Sequence, residues 1–241
     1  TAATEEFNTG VAVGAWVTGG ALNVPRSEHA GSGTQTAALS FGGRNPVEGQ
    51  TETYNGTAWT SVNNMNNARA QLMGSGTQTS TLASGGEPAL TVTETWNGTN
   101  WTEVSDLNTG KYASGAAGVS NTSSLVFGGR TPPYTTTTES WDGSSWTEVN
   151  DMNTARRTLA GAGVTTSALA FGGTNGSKTG ATEAWNGSSW TTVGTMNIAR
   201  NLFGGGAGAN NTSALAFGGP PATTATEEWT DPGIITKTLT T

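Results

Sequence analysis

"MNTARRTLAGAGVTTSALAFGGTNGSKTGATEAWNGSSWTTV", Met152–Val193, reads as four short strands and the turns that join them. The first strand is Gly-rich, around Leu159 to Val164. A Thr/Ser turn leads to the second, "SALAFGG", which starts at Ser167. A loop of irregular sequence follows. The third strand is "ATEAW", residues 181–185, and the turn "NGSS" leads to the fourth, "WTTV", residues 190–193. Side chains alternate across a strand, so Ala181, Glu183 and Trp185 share one face and Thr182 and Ala184 the other. Asn-Gly between two such runs is a strong hairpin signal, because both residues tolerate positive φ. No stretch carries a capped apolar pattern of 3.6-residue period, so no helix is expected. "MNIAR" then begins the phrase again.

Outward from this copy, the paired glycines recur at Gly42-Gly43, Gly85-Gly86, Gly128-Gly129, Gly172-Gly173 and Gly218-Gly219. Four of the pairs follow a Phe; the second follows Ser84. The pairs end an apolar strand, where a Cβ would meet a neighbouring backbone. Hairpin turns recur at Asn55-Gly56, Asn97-Gly98, Asp142-Gly143 and Asn186-Gly187. Four strands per repeat and five repeats predict an all-β, five-bladed β-propeller of four antiparallel strands per blade, one domain over 1–241. A single blade cannot bury both faces, whereas a ring of blades buries them against each other. A linear β-solenoid has a shorter period, and separate hairpins on a string leave the regularly spaced aromatics without a shared core. The last copy lacks its fourth strand. Trp16-Val17-Thr18, followed by Leu22 to Arg26, supplies that half-phrase, so residues 1–25 are expected to complete the last blade, with a strand around Trp16 closing the ring.

Composition narrows the function. The 241 residues carry a net charge of −7, 36 Gly and only 11% charged residues. No basic stripe is present, which argues against nucleic acid as a partner. No segment approaches the roughly 18 apolar residues of a membrane span, and the first residues show no basic stretch leading into an apolar run. The chain has no Cys, which excludes disulfides, zinc–thiolate sites and thiol nucleophiles. Its one histidine, His29, is the sole candidate base for a Ser/His/Asp site. The four Asp (Asp106, Asp142, Asp151, Asp231) sit in different turns, not as paired catalytic acids. None of the Gly-rich stretches runs from a strand into a helix, so none is a phosphate loop. The reading is a non-enzyme with no cofactor and no metal site.

The repeat resembles kelch repeats of the galactose-oxidase type. The likeness rests on the di-glycine, the aromatic pairs Tyr54/Trp59, Trp96/Trp101, Trp141/Trp146 and Trp185/Trp190, and a "Met-Asn-x-x-Arg" phrase giving Arg26, Arg69, Arg156 and Arg200, with Lys111 in the remaining copy. "Trp141-Asp142" aligns with Trp-Asn elsewhere and is a turn, not a WD signature. The copper site of galactose oxidase cannot be carried over to a chain without Cys. The Thr-rich "FGG" and "WNGTNWTEV" phrasing is similar to kelch-like proteins of marine tailed bacteriophages. That resemblance implies a virion or tail-fibre component contacting a protein or glycan on a host or virion surface. A lectin-like propeller with sugar sites on the repeated Trp, and a cytoplasmic kelch-type adaptor, are the alternatives.

Glu52, Glu94, Glu139, Glu183 and Glu227 hold the same third-strand position and are expected to be structural, pairing with the repeated Arg. Function is expected in the loops after the di-glycines, where the copies diverge. Those loops carry the candidate binding residues Arg44, Glu48, Glu87, Arg130, Tyr134 and Lys178.

Overall fold

Each repeat folds as an antiparallel meander because its turns leave the chain no other route. The structure, a computed structural model, describes residues 19–44, 46, 48–201, 207–219 and 225–231. Blade 1 comprises β1 (Ala30–Thr34), β2 (Ala37–Phe41), β3 (Thr51–Tyr54) and β4 (Trp59–Val62). Blade 2 comprises β5 (Met73–Thr77), β6 (Ser80–Ser84), β7 (Thr93–Trp96) and β8 (Trp101–Val104). Blade 3 holds β9 (Gly115–Ser120), β10 (Ser123–Phe127), β11 (Thr138–Trp141) and β12 (Trp146–Val149). Blade 4 holds β13 (Ala160–Val164), β14 (Ser167–Phe171), β15 (Thr182–Trp185) and β16 (Trp190–Val193). Blade 5 shows β17 (Ala207–Asn210), β18 (Ser213–Phe217) and β19 (Thr226–Thr230) among the described residues. The protein is a five-bladed β-propeller, and the described residues contain no helix. The segment around Trp16, assigned from sequence to the edge of blade 5, lies outside the described residues, as do residues 1–10.

Innermost strands pack in chain order: β1 on β5, β5 on β9, β9 on β13 and β13 on β17. Between successive blades lie separate apolar cores. One joins Leu39 and Phe41 to Ala83, Trp96 and Trp101. Another joins Leu125 and Phe127 to Ala168, Trp185 and Trp190. Alternation in β15 holds: Trp185 faces blade 3, while Ala184 packs in the core with blade 5.

The di-glycines close these interfaces. A Cβ on Gly85 would lie 2.4 Å from the Lys111 carbonyl oxygen, and one on Gly42 2.8 Å from that of Arg69. Both residues of every pair have positive φ. The second glycine donates its amide to the next linker, as in Gly43 N–H to Arg69 O at 3.0 Å and Gly129 N–H to Arg156 O at 2.8 Å. A second row of bonds links the linkers directly. Gln71 donates its amide to Glu28 O at 2.9 Å, Ala113 to Gln71 O at 2.9 Å, and Thr158 to Ala113 O at 2.6 Å. These four residues all have positive φ although none is glycine.

The hairpins differ from the sequence expectation in one respect. Positive φ is confined to the glycine, as in Gly98 at 92° and Gly187 at 95°. The preceding Asn acts through its side chain instead. Asn97 Oδ1 accepts the amides of Thr99 and Asn100, each at 2.9 Å. Asp142 accepts those of Ser144 and Ser145, each at 2.8 Å. The amides of Ser145 and Ser144 hold the Asp142 carboxyl down at about 2. Asn and Asp are interchangeable here because the turn needs an acceptor at that position, not a left-handed residue.

Candidate binding face

The consensus residues are consumed inside the scaffold. Arg69 ion-pairs with Glu94, Arg26 with Glu52, Lys111 with Glu139 at 3.0 Å, Arg156 with Glu183 at 2.7 Å and Arg200 with Glu227 at 2.6 Å. The Arg69 and Glu94 side chains are 0% exposed. The Asn of "Met-Asn" completes each carboxylate: Asn66 donates its amide at 2.7 Å and its Nδ2 at 2.9 Å to Glu94 Oε2. Asn108 and Glu139 repeat the pattern. Burial by itself would raise the Glu52 carboxyl; the amide of Asn23 and the guanidinium of Arg26 outweigh it and hold it below its usual value. Glu227 is likewise held down by Asn197 and Arg200 against the effect of burial. Burial pushes the Lys111 ammonium below its usual value, with Glu139 opposing. Buried charges need this degree of pairing. The repeated Glu are structural, as their sequence position suggested, and the Asn that completes the network was not anticipated.

The repeated Trp are consumed as well. Trp96, Trp141 and Trp185 are buried and donate Nε1 to the carbonyls of Gln78, Asn121 and Thr165 at 2.8–2.9 Å. Trp101, Trp146 and Trp190 reach into the preceding blade and donate to the hydroxyls of Thr51, Thr93 and Thr138. None of these rings is open to a sugar. The matching hydroxyl of Thr182 lines a pocket of about 70 Å³ between blades 4 and 5, with Leu169, Phe171 and Met196.

Catalytic geometry is not assembled among the described residues. His29 Nδ1 lies 3.1 Å from Ser40 Oγ, and burial lowers its pKa. Ser40 is only 2% exposed, and no carboxylate hydrogen-bonds the ring among the described residues. His29 and Ser40 stand where blade 2 has Leu72 and Ala83, so a hydrogen-bonded pair replaces an apolar one. No grouping of three His, Cys, Asp or Glu able to hold a metal occurs among the described residues.

Strand direction puts the loops after the di-glycines and the inter-blade linkers at one end of the ring, and the two kinds of hairpin at the other. On that loop face five of the six candidate residues fall into two groups. Arg44 binds Glu28 Oε2 through Nε at 2.6 Å and ion-pairs with Glu87 of the next blade, tying blades 1 and 2 together. Gln71 donates to the same Glu28 oxygen at 3.1 Å. Glu48 joins neither group: its amide donates to Gly43 O at 3.1 Å, and its Oε2 has no partner.

The second group spans blades 3 and 4. Arg130 forms backbone bridges to both Tyr112 and Tyr134, and its guanidinium lies 5.9 Å from the centre of the Tyr112 ring. Arg157 lies 5.8 Å over the Tyr134 ring. A backbone bridge joins Arg157 to Thr174, which bridges in turn to exposed Lys178. Sequence reasoning missed Tyr112 and Arg157. The signal was the doubled Arg156-Arg157: one guanidinium fills the buried slot, so the next must point elsewhere. A comparison of the chain with protein-family models and with curated proteins finds no match in either.

Proposed function

We propose that the chain is a non-enzymatic binding module, a kelch-type propeller that presents its variable-loop face to a protein or glycan on a host or virion surface. One observation carries this reading. The residues common to all copies are spent on holding the blades together, while the charges and tyrosines that differ between copies collect on one face. Loops on a rigid scaffold are where recognition concentrates. The kelch assignment rests on the di-glycine, the paired aromatics and the Arg of the linker. The setting we propose is the particle of a tailed bacteriophage, on the strength of the Thr-rich repeat phrasing.

Two measurements test it. Mass spectrometry of purified particles should find this chain, and its absence from them removes the virion setting. Fluorescently labelled protein should adhere to host cells or to purified particles. Charge reversal on the loop face, Glu48→Lys with Arg130→Glu, should abolish adhesion; unchanged adhesion would place the binding surface elsewhere.

A further inference from the structure

The chain has ten Lys and Arg against seventeen Asp and Glu. Lys237 lies outside the described residues. Five of the others fill the buried repeat slots, and Arg44 is paired on both sides. That leaves Arg130, Arg157 and Lys178. Among the described residues none of the three has a carboxylate partner, and the Nε of Arg157 is buried with no acceptor at all. In an acidic protein, unpaired cations have many carboxylates available, yet these three stand together on one face.

Their backbones are fixed by the fold. Gly129 N–H donates to Arg156 O at 2.8 Å, so Arg130 and Arg157 flank one inter-blade hydrogen bond. Arg157 and Thr174 exchange two backbone bonds of 3.0 and 2.9 Å. Both guanidiniums lie over tyrosine rings, which restrains them and leaves their terminal Nη groups for recognition. A guanidinium held this way presents a donor fork matched to a planar or tetrahedral oxyanion.

We propose that Arg130, Arg157 and Lys178 form a binding site for an acidic glycan, a polysaccharide bearing carboxylate or sulfate groups. The inference rests on the loop-face reading above and names its ligand. A glycan fits better than a protein partner. Protein interfaces are anchored by a buried apolar or aromatic centre. Here the tyrosine rings are covered by the guanidiniums, and the exposed large hydrophobics among the described residues, Val119 and Ile198, lie outside the cluster. The surroundings offer hydroxyls instead, from Thr131, Ser177 and Thr179, which suit a polyhydroxylated ligand. The net charge of −7 repels a polyanion at long range, so binding has to come from a local cationic patch, and among the described residues this is the one without carboxylate partners.

The test is binding of the intact chain to immobilised polygalacturonate, dextran sulfate, uncharged dextran and poly-glutamate. Polygalacturonate binding identifies a carboxylated source and dextran sulfate binding a sulfated one; either, above uncharged dextran, is the expected result. Arg157→Ala or Lys178→Ala should weaken it about tenfold, and the triple Ala variant at least about a hundredfold. Thr99→Ala, in an exposed hairpin at the opposite end of the ring, should leave it unchanged. Lys178 is exposed and Arg130 and Arg157 are half-buried, and thermal unfolding of each variant confirms that it folds. Lys178→Glu provides a single exposed reversal. Binding to neither polyanion, equal binding by the triple variant, or binding to poly-glutamate alone overturns the proposal. If cell or particle adhesion still depends on the loop face while the polysaccharides fail, the ligand class falls and the binding-module reading stands.

Discussion

The Glu of each third strand is the residue on which a blade's position depends. Glu94 takes the Arg69 guanidinium, the Asn66 amide and Nδ2, and the Asn67 amide, all in a site closed to water. Removing it strands a buried guanidinium, two backbone amides and the Asn66 Nδ2. Glu94→Ala should therefore cost about 3–5 kcal/mol, read as a shift in the urea midpoint. Glu28→Ala breaks an ion pair whose side chains are 36–39% exposed and should cost less than about 1 kcal/mol. Comparable losses would show that the inner pairs are not the structural members. The Arg–Glu pairing was legible because both residues recur at fixed offsets. The Asn contribution was not, because Asn beside Met also reads as an ordinary turn residue.

At the scale of the strand, the inner glycines answer to the neighbouring blade. A Cβ on Gly161 would come within 2.2 Å of Ala116 O and 2.8 Å of Phe127 Cζ. Its φ is not among the positive ones, so the obstacle is contact and not backbone strain. Gly161→Ala should force blade 3 from blade 4 and cost about 1–3 kcal/mol. Gly194→Ala, just after β16, is exposed, meets Trp229 Cζ3 at 3.4 Å among the described residues and should be far milder. Blade 3 already carries Ala116 at the position of Gly161, so the cost belongs to the spacing of one interface. Equal effects of the two substitutions in thermal melts would contradict this. A Gly-rich first strand was readable from the sequence; which glycine touches which blade was not, because that distance depends on how two sheets meet. The hairpins show the same limit, since the Asn-Gly phrase marks the turn without telling that the Asn side chain, and not its φ, makes it.

For the ring as a whole, the five di-glycines announced five blades, and the divergent loops announced the face that differs. What the sequence could not separate was paired charge from free charge: Arg44 and Arg130 look alike in their loops, yet Arg44 is taken up by Glu28 and Glu87 while Arg130 is not. Charge also sets the response of the ring to acid. Glu52 and Glu227 have folded-state pKa values below their usual 4.5. A carboxyl with a depressed folded pKa contributes stability that is fully present above the unfolded value and is lost as pH falls through the folded one. These two lie in blades 1 and 5. Below about pH 4.5 β3 and β19 should therefore loosen. Hydrogen exchange at stepped pH should show protection of Thr51–Tyr54 and Thr226–Thr230 falling as the pH drops below that value. Glu52→Gln carries no titrating carboxyl at that position, so it should remove the acid dependence of β3 and leave that of β19. Protection of β3 and β19 that does not respond to acid, or acid dependence of β3 unchanged in Glu52→Gln, would show that these two carboxylates do not set the acid response of their strands.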